Sequence, residues 1–260
     1  MTINPFFAPA LRLRSGGVRL LASVATPGEA MVAMAAGVDI IDAKDPGRGA
    51  LGAIDSTTLQ AIRATVPPAI PLSATTGDIP VEDIERIVNE IARVAAASVD
   101  VVKIGFFGAG SAAGLIAALA ARDDEAHAYG RRVAVLLADR APDWNLVVRL
   151  PAAGFSGVML DTADKTSGAL LDVVSMHEIR NFIAAARSAG LFTGLAGALR
   201  LRHIPDVRAL GPDVVGFRGA LCRGKERTAH IDVDAVRQVR AALDGASAEE
   251  TPSRVAQQPE

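Results

Sequence analysis

Only four of the 27 Lys and Arg residues in this 260-residue chain are lysines: Lys44, Lys103, Lys165 and Lys225. Three lie in or just after short apolar runs, DIIDAKDP, DVVKIGFFG and VMLDTADK. Arginine fills nearly every other cationic position and stays protonated at any relevant pH, so it cannot act as an amine nucleophile. A lysine can, once burial or a neighbouring cation lowers its pKa. Compositional bias against lysine explains the small number but not the placement. Lys44 is read as a Schiff-base candidate, its alternative role being an ion pair with Asp42 or Asp45. Lys103, flanked by Val102 and Ile104, either points into a cavity or snorkels outward; two amines sharing a cavity depress each other's pKa.

Carboxylates accompany the lysines. Asp42 lies two residues before Lys44, on the same side if the segment is extended. Asp161 precedes Lys165 in LDTADK and is a candidate to hold a protonated amine or shuttle a proton. Asp78 and Asp139 end similar runs, as either positioning groups or caps. Phosphate is a second theme. LAGALR and FRGALCRG repeat Gly-Ala-Leu, where Gly197 and Gly219 would admit an anion to backbone N–H groups and Arg218 would add a bidentate contact. Ser73 and Thr75 in LSATTGD offer hydroxyls. Lys225, in CRGKER, is either solvated or turned to phosphate.

Positioning these groups requires a scaffold. Strand-like runs occur at 19–24, 38–44, 71–76, 100–107, 132–139, 157–162, 192–197 and 213–219, alternating with Ala-rich amphipathic stretches that read as helices, DWNLVVRLPAA and RLRHIPDVRAL among them. Eight such pairs imply parallel βαβ units with right-handed crossovers. Apolar strands imply a sheet covered by helices. Number and length predict a single closed (β/α)8 TIM barrel over 18–245, with a loose arm at 1–17 and a disordered tail at 246–260. An open doubly wound sheet is the alternative, but ASVATPGEA lacks GxGxxG. In such barrels active sites form at the C-terminal ends of the strands, where the lysines, aspartates and glycines fall.

Composition narrows the partners. A net charge of −2 gives no electrostatic case for nucleic acid or an anionic membrane. The one cysteine, Cys222, excludes an intramolecular disulfide and fits a reducing compartment. Neither a basic-apolar leader nor an 18-residue apolar run is present, so a cytoplasmic protein is expected, with a homo-oligomer as the usual state for such barrels. His127, His177, His203 and His230 have no ligand-like spacing, so no metal is expected.

The segments DIIDAKDPGRGALGA, PLSATTGDIP, DVVKIGFFG, VMLDTADKTSG, GLAGALRLRHIP and DVVGFRGALCRG together resemble the (5-formylfuran-3-yl)methyl phosphate synthases, also called 4-hydroxymethyl-2-furancarboxaldehyde-phosphate synthases. The resemblance runs from about Leu20 to Leu243. It implies a barrel that condenses two glyceraldehyde 3-phosphates, without a cofactor, towards the furan of methanofuran. Carried over, Lys44 is the Schiff-base residue and Lys103 the proton acceptor. Asp161 and Lys165 match a further catalytic pair. The run LLADRAPDW offers Asp139 but no lysine, so an additional amine there has no counterpart. Other readings are a Schiff-base aldolase on another phosphosugar and a non-catalytic barrel that binds phosphometabolites.

Overall fold

The computed structural model describes residues 17–107, 112–122 and 131–245. Eight parallel strands close into one barrel in sequence order. They are β1 (Arg19–Val24), β2 (Ile40–Ala43), β3 (Leu72–Thr75), β4 (Val101–Phe106), β5 (Arg131–Leu137), β6 (Phe155–Asp161), β7 (Phe192–Leu195) and β8 (Val214–Phe217). The helices outside are α1 (Pro27–Ala35), α2 (Ser56–Thr65), α3 (Ile84–Ala95), α4 (Ala113–Ala120), α5 (Leu170–Val173), α6 (Met176–Ser188), α7 (Ile204–Leu210) and α8 (Val233–Asp244). The TIM barrel expected from the βα rhythm is the fold observed. The arm and tail, like His127, lie outside the described residues, apart from Gly17.

The alternation of side chains along each strand divides the apolar residues into two cores. Leu20, Ala22 and Val24 of β1 pack outward against the helices. Leu21 turns inward to join Ile40, Val133, Val135, Met159, Phe192 and Val214 in a plug inside the ring. Above the plug, polar residues higher on the same strands face the mouth at the C-terminal end of the barrel. On β2 the inward series is Ile40, Asp42 and Lys44; on β6 it is Met159 and Asp161.

Local chemistry sets the helix boundaries. Thr26 caps α1, accepting from the Glu29 N–H, with Pro27 in the first turn, where its missing N–H costs nothing. Ser175 and Glu178 form a reciprocal capping box on α6. Asp232 caps α8, and Gly245 ends it at φ 84°. The helix expected over DWNLVVRLPAA is absent. Two short 3-10 segments, Trp144–Arg149 and Pro151–Ala153, replace it. Pro151 has no N–H to continue an α-helical ladder and its ring would clash with the carbonyl four residues back. In RLRHIPDVRAL, α7 is preceded by a 3-10 turn, Leu201–His203.

Two strand-end aspartates prove to be loop anchors. Asp78 accepts from the Ala50 and Leu51 N–H groups at 2.7 and 2.6 Å, fixing the loop that follows Lys44. Asp139 accepts from the Ala163 and Asp164 N–H groups at 2.7 and 2.8 Å, fixing the loop that carries Lys165. The first loop is also tightly folded on itself, the Asp45 N–H donating to the Gly52 carbonyl at 2.9 Å. A Cβ on Gly52 would fall 2.3 Å from the Asp45 carbonyl oxygen. Gly52→Ala should therefore destabilise the protein by about 1–3 kcal/mol, as overpacked sites do. Urea unfolding checks this, and an unchanged midpoint contradicts it.

Candidate active site

Two polar layers sit above the plug. In the lower one, Asp42 is fully buried and flanked in the sheet by Ser23 and Ser73. Ser23 and Ser73 donate to its carboxylate at 3.0 and 2.6 Å, and the Lys103 ammonium donates to it at 3.0 Å. Burial pushes the Asp42 carboxyl up, but Lys103, Lys44 and the hydrogen bonds prevail and hold it below the usual carboxylate range. Lys103 thus points inward rather than snorkelling out. The expected closeness of Asp42 to Lys44 takes a different form: both face inward, but the ion-pair partner of Asp42 is Lys103. Among the described residues, neither Asp42 nor Ser73 lines the mouth cavity; Asp42 holds Lys103 from below and Ser73 braces Asp42.

The upper layer is built on Asp161. Its carboxylate receives the Lys165 ammonium at 2.5 Å, the Thr162 N–H at 2.8 Å and, more loosely, the Lys44 ammonium at 3.8 Å. Lys165 also donates to the Thr162 carbonyl. Burial pushes Asp161 up, while Lys165, Lys44 and Lys103 pull it down further, so that its pKa is about 2. Lys44 moves the other way. Burial lowers its pKa first; Asp161 opposes this, Lys165 and Lys103 reinforce it, and the amine comes to about 8.

All four lysines of the chain line one cavity of about 640 Å³. Gly197 and Gly219 line it too. Gly197 has φ 105° and Ala198 φ 47°, two successive left-handed residues, the first uniquely suited to glycine. Among the described residues, the N–H groups of Gly197 and Ala198 have no protein acceptor. Such a backbone turn can receive an anion.

Arg218 does not have the role expected of it. Its Nη1 and Nη2 donate to Glu29 at 2.6 and 3.0 Å. The remaining donors go to the carbonyls of Arg227, Ser23 and Ala229 at 2.7, 3.1 and 3.0 Å. With all five donors engaged, the buried guanidinium has none left for phosphate. It ties the start of α1 to the loop after β8. Glu29 was invisible as a partner because it lies 189 residues away. Arg200 and Arg227 also line the cavity; their only sequence signal is their position in the loops after β7 and β8.

The fold and site define a (β/α)8 barrel with a lysine–carboxylate cluster and an anion-ready turn at its C-terminal mouth. The 4-HFC-P synthase family model matches residues 20–240. A Methylorubrum extorquens protein provisionally named (5-formylfuran-3-yl)methyl phosphate synthase is 42% identical, over 89% of this chain and 94% of its own. The (5-formylfuran-3-yl)methyl phosphate synthase of Methanopyrus kandleri is 34% identical over 86% of this chain and 98% of its own. The chain belongs to the (5-formylfuran-3-yl)methyl phosphate synthase family. Among solved structures, phosphoribosyl anthranilate isomerase from Thermotoga maritima superposes with a TM-score of 0.62 at 14% identity, over 88% of this chain and 99% of its own. The likeness is one of fold. Among the described residues no helix is long and apolar enough to cross a membrane.

Asp161 raises the Lys44 pKa while the two neighbouring ammonium groups lower it. Asp161→Asn should therefore bring Lys44 below its present value of about 8. The pH dependence of its reductive methylation, followed by NMR, measures this; a rise in pKa contradicts the assignment.

Proposed function

We propose that this protein condenses two molecules of glyceraldehyde 3-phosphate into (5-formylfuran-3-yl)methyl phosphate through an imine on Lys44. The observation that carries the reading is the convergence of Lys44, Lys103 and Lys165 on one cavity at the barrel mouth, with the Lys44 amine near pKa 8. At pH 7 about one Lys44 side chain in ten is then neutral, against about one in three thousand for an ordinary lysine. That difference makes attack on an aldehyde feasible without any other base.

Each residue has a role in the sequence of steps. The Lys44 amine adds to C1 of the first triose. Lys103, ion-paired with Asp42 at 3.0 Å, gives a proton to the carbinolamine hydroxyl, and water leaves. The iminium is held by Asp161, whose low pKa keeps it ionised. Lys103, now neutral beside the iminium, takes the C2 proton, and the 3-phosphate departs by β-elimination. Aldol-type joining to the second triose, ring closure and dehydration complete the furan. The balance closes: two trioses, less one phosphate and two waters, give the six-carbon product. Its place in methanofuran-type biosynthesis follows from that product.

Borohydride added with glyceraldehyde 3-phosphate should fix a covalent adduct on Lys44, and Lys44→Arg should abolish both adduct and turnover. Recovery of unmodified Lys44 from active enzyme defeats the assignment. A substrate panel that releases no phosphate from glyceraldehyde 3-phosphate but cleaves a ketose phosphate favours an aldolase instead.

The pH profile has a definite sign. The neutral amine is the reactive form and Lys44 loses its proton near pH 8. Thus kcat/KM should rise about tenfold per unit below that value and level off above it. A profile flat from pH 6 to 8, as measured by steady-state furan absorbance, is incompatible with Lys44 as nucleophile.

A further inference from the structure

We propose that Arg227 holds the phosphate that leaves the first triose, and that the buried Arg218–Glu29 pair positions it. The proposal rests on the reading that this triose is an imine on Lys44. Two phosphorylated substrates must share the cavity, and only one phosphate remains in the product. The turn at Gly197 and Ala198 provides backbone N–H groups for one anion. A departing phosphate needs more. When its C3–O bond breaks, the electron pair passes to the phosphate oxygen, and the added charge has to be met by a fixed cation.

Arg227 is placed for that task. It is half-buried and lines the cavity. Its sole protein acceptor among the described residues is the Gly49 carbonyl, 2.8 Å from Nη2. The rest of the guanidinium fork therefore has donors to offer a phosphate. Gly49 belongs to the loop that begins at Lys44, and the charge of Asp161, the partner of Lys44, also reaches Arg227. The guanidinium thus stands on the side of the cavity where the imine forms, and the leaving phosphate is attached two carbons from the imine carbon.

Its placement is imposed from behind. Arg218 Nε donates to the Arg227 carbonyl and Nη2 to the Ala229 carbonyl, while Glu29 takes two donors of the same guanidinium. The segment carrying Arg227 is thereby tied to β1, α1 and β8. Arg218 is a positioning residue that does not itself meet the anion. In the elimination the Lys103 amine takes the C2 proton, the C2–H electrons form the C2–C3 double bond, and the C3–O pair leaves with phosphate. No oxidant or further reactant is required.

Arg227→Gln and Arg227→Lys test this. Calorimetric titration of the full-length wild-type protein with inorganic phosphate should register two sites. Arg227→Gln should keep one and weaken the other by about tenfold or more, with Arg227→Lys in between. Borohydride trapping of unphosphorylated glyceraldehyde on Lys44 should be the same in wild type and Arg227→Gln, showing an intact imine site. With glyceraldehyde 3-phosphate, the adduct trapped in Arg227→Gln should keep its phosphate by mass, and phosphate release should fall about a hundredfold. Two undiminished phosphate sites in Arg227→Gln, or an adduct that loses phosphate at the wild-type rate, overturns the role of Arg227. A wild-type protein that forms no adduct with glyceraldehyde 3-phosphate overturns the reaction reading and the leaving-group role built on it.

Discussion

The barrel interior contains more ammonium groups than carboxylates to pair with them, and the distribution of those pairs decides what each lysine can do. Asp42 is satisfied by two serine hydroxyls and Lys103. Asp161 is held closely by Lys165 and only loosely by Lys44, at 2.5 against 3.8 Å. Charges removed from water are costly unless paired. Two carboxylates are shared among three lysines, and Lys44 is left with the longest of the ion pairs. Lys44 is also buried, and its pKa is lowered to about 8.

Such an arrangement requires rigid loops, because small displacements would redistribute the pairs. The strand-end carboxylates outside the cluster serve this end. Asp78 pins the loop after Lys44, and Asp139 pins the loop that carries Lys165. Glu29, through Arg218, ties the loop after β8 to the first strand and helix. Each accepts two or more hydrogen bonds, and charge-assisted bonds of this kind are the stronger ones. Much of the polar chemistry at the mouth is thus scaffolding that keeps the lysine–carboxylate distances constant.

How much of this the chain reveals before folding depends on the range of the interaction. Strand β1 and helices such as α1, α2 and α6 follow from apolar runs and caps a few residues long, and eight repeats of the pattern suffice for the barrel. That Lys44 and Asp42 share one face follows from their spacing of two. Pairing across strands does not. Lys103 and Asp42 are 61 residues apart, and Arg218 and Glu29 are 189 apart. Only the closed ring makes them neighbours. For that reason Arg218 read as a phosphate ligand, Asp42 as the partner of Lys44, and Arg227 as an unremarked loop residue. The segment DWNLVVRLPAA misled for a local reason, since its apolar content suits a helix but Pro151 interrupts the hydrogen-bond ladder.

If the substrate is the dianionic triose proposed above, its charge is in tension with a low amine pKa, and the cavity rim addresses it. Each phosphate brought near Lys44 favours the ammonium form and pulls the amine away from its reactive state. Backbone N–H groups at Gly197 and Ala198 can neutralise part of that field with dipoles alone, while Arg200, Arg227 and Lys225 supply full positive charge at the rim. On the proposed reading, these groups do more than bind substrate. They shield Lys44 from the charge that arrives with each triose, so the balance of ammonium and carboxylate groups in the empty barrel survives when the cavity is filled. The end of β5 contributes no amine to this balance, since LLADRAPDW has no lysine; the loops after β7 and β8 provide the cations.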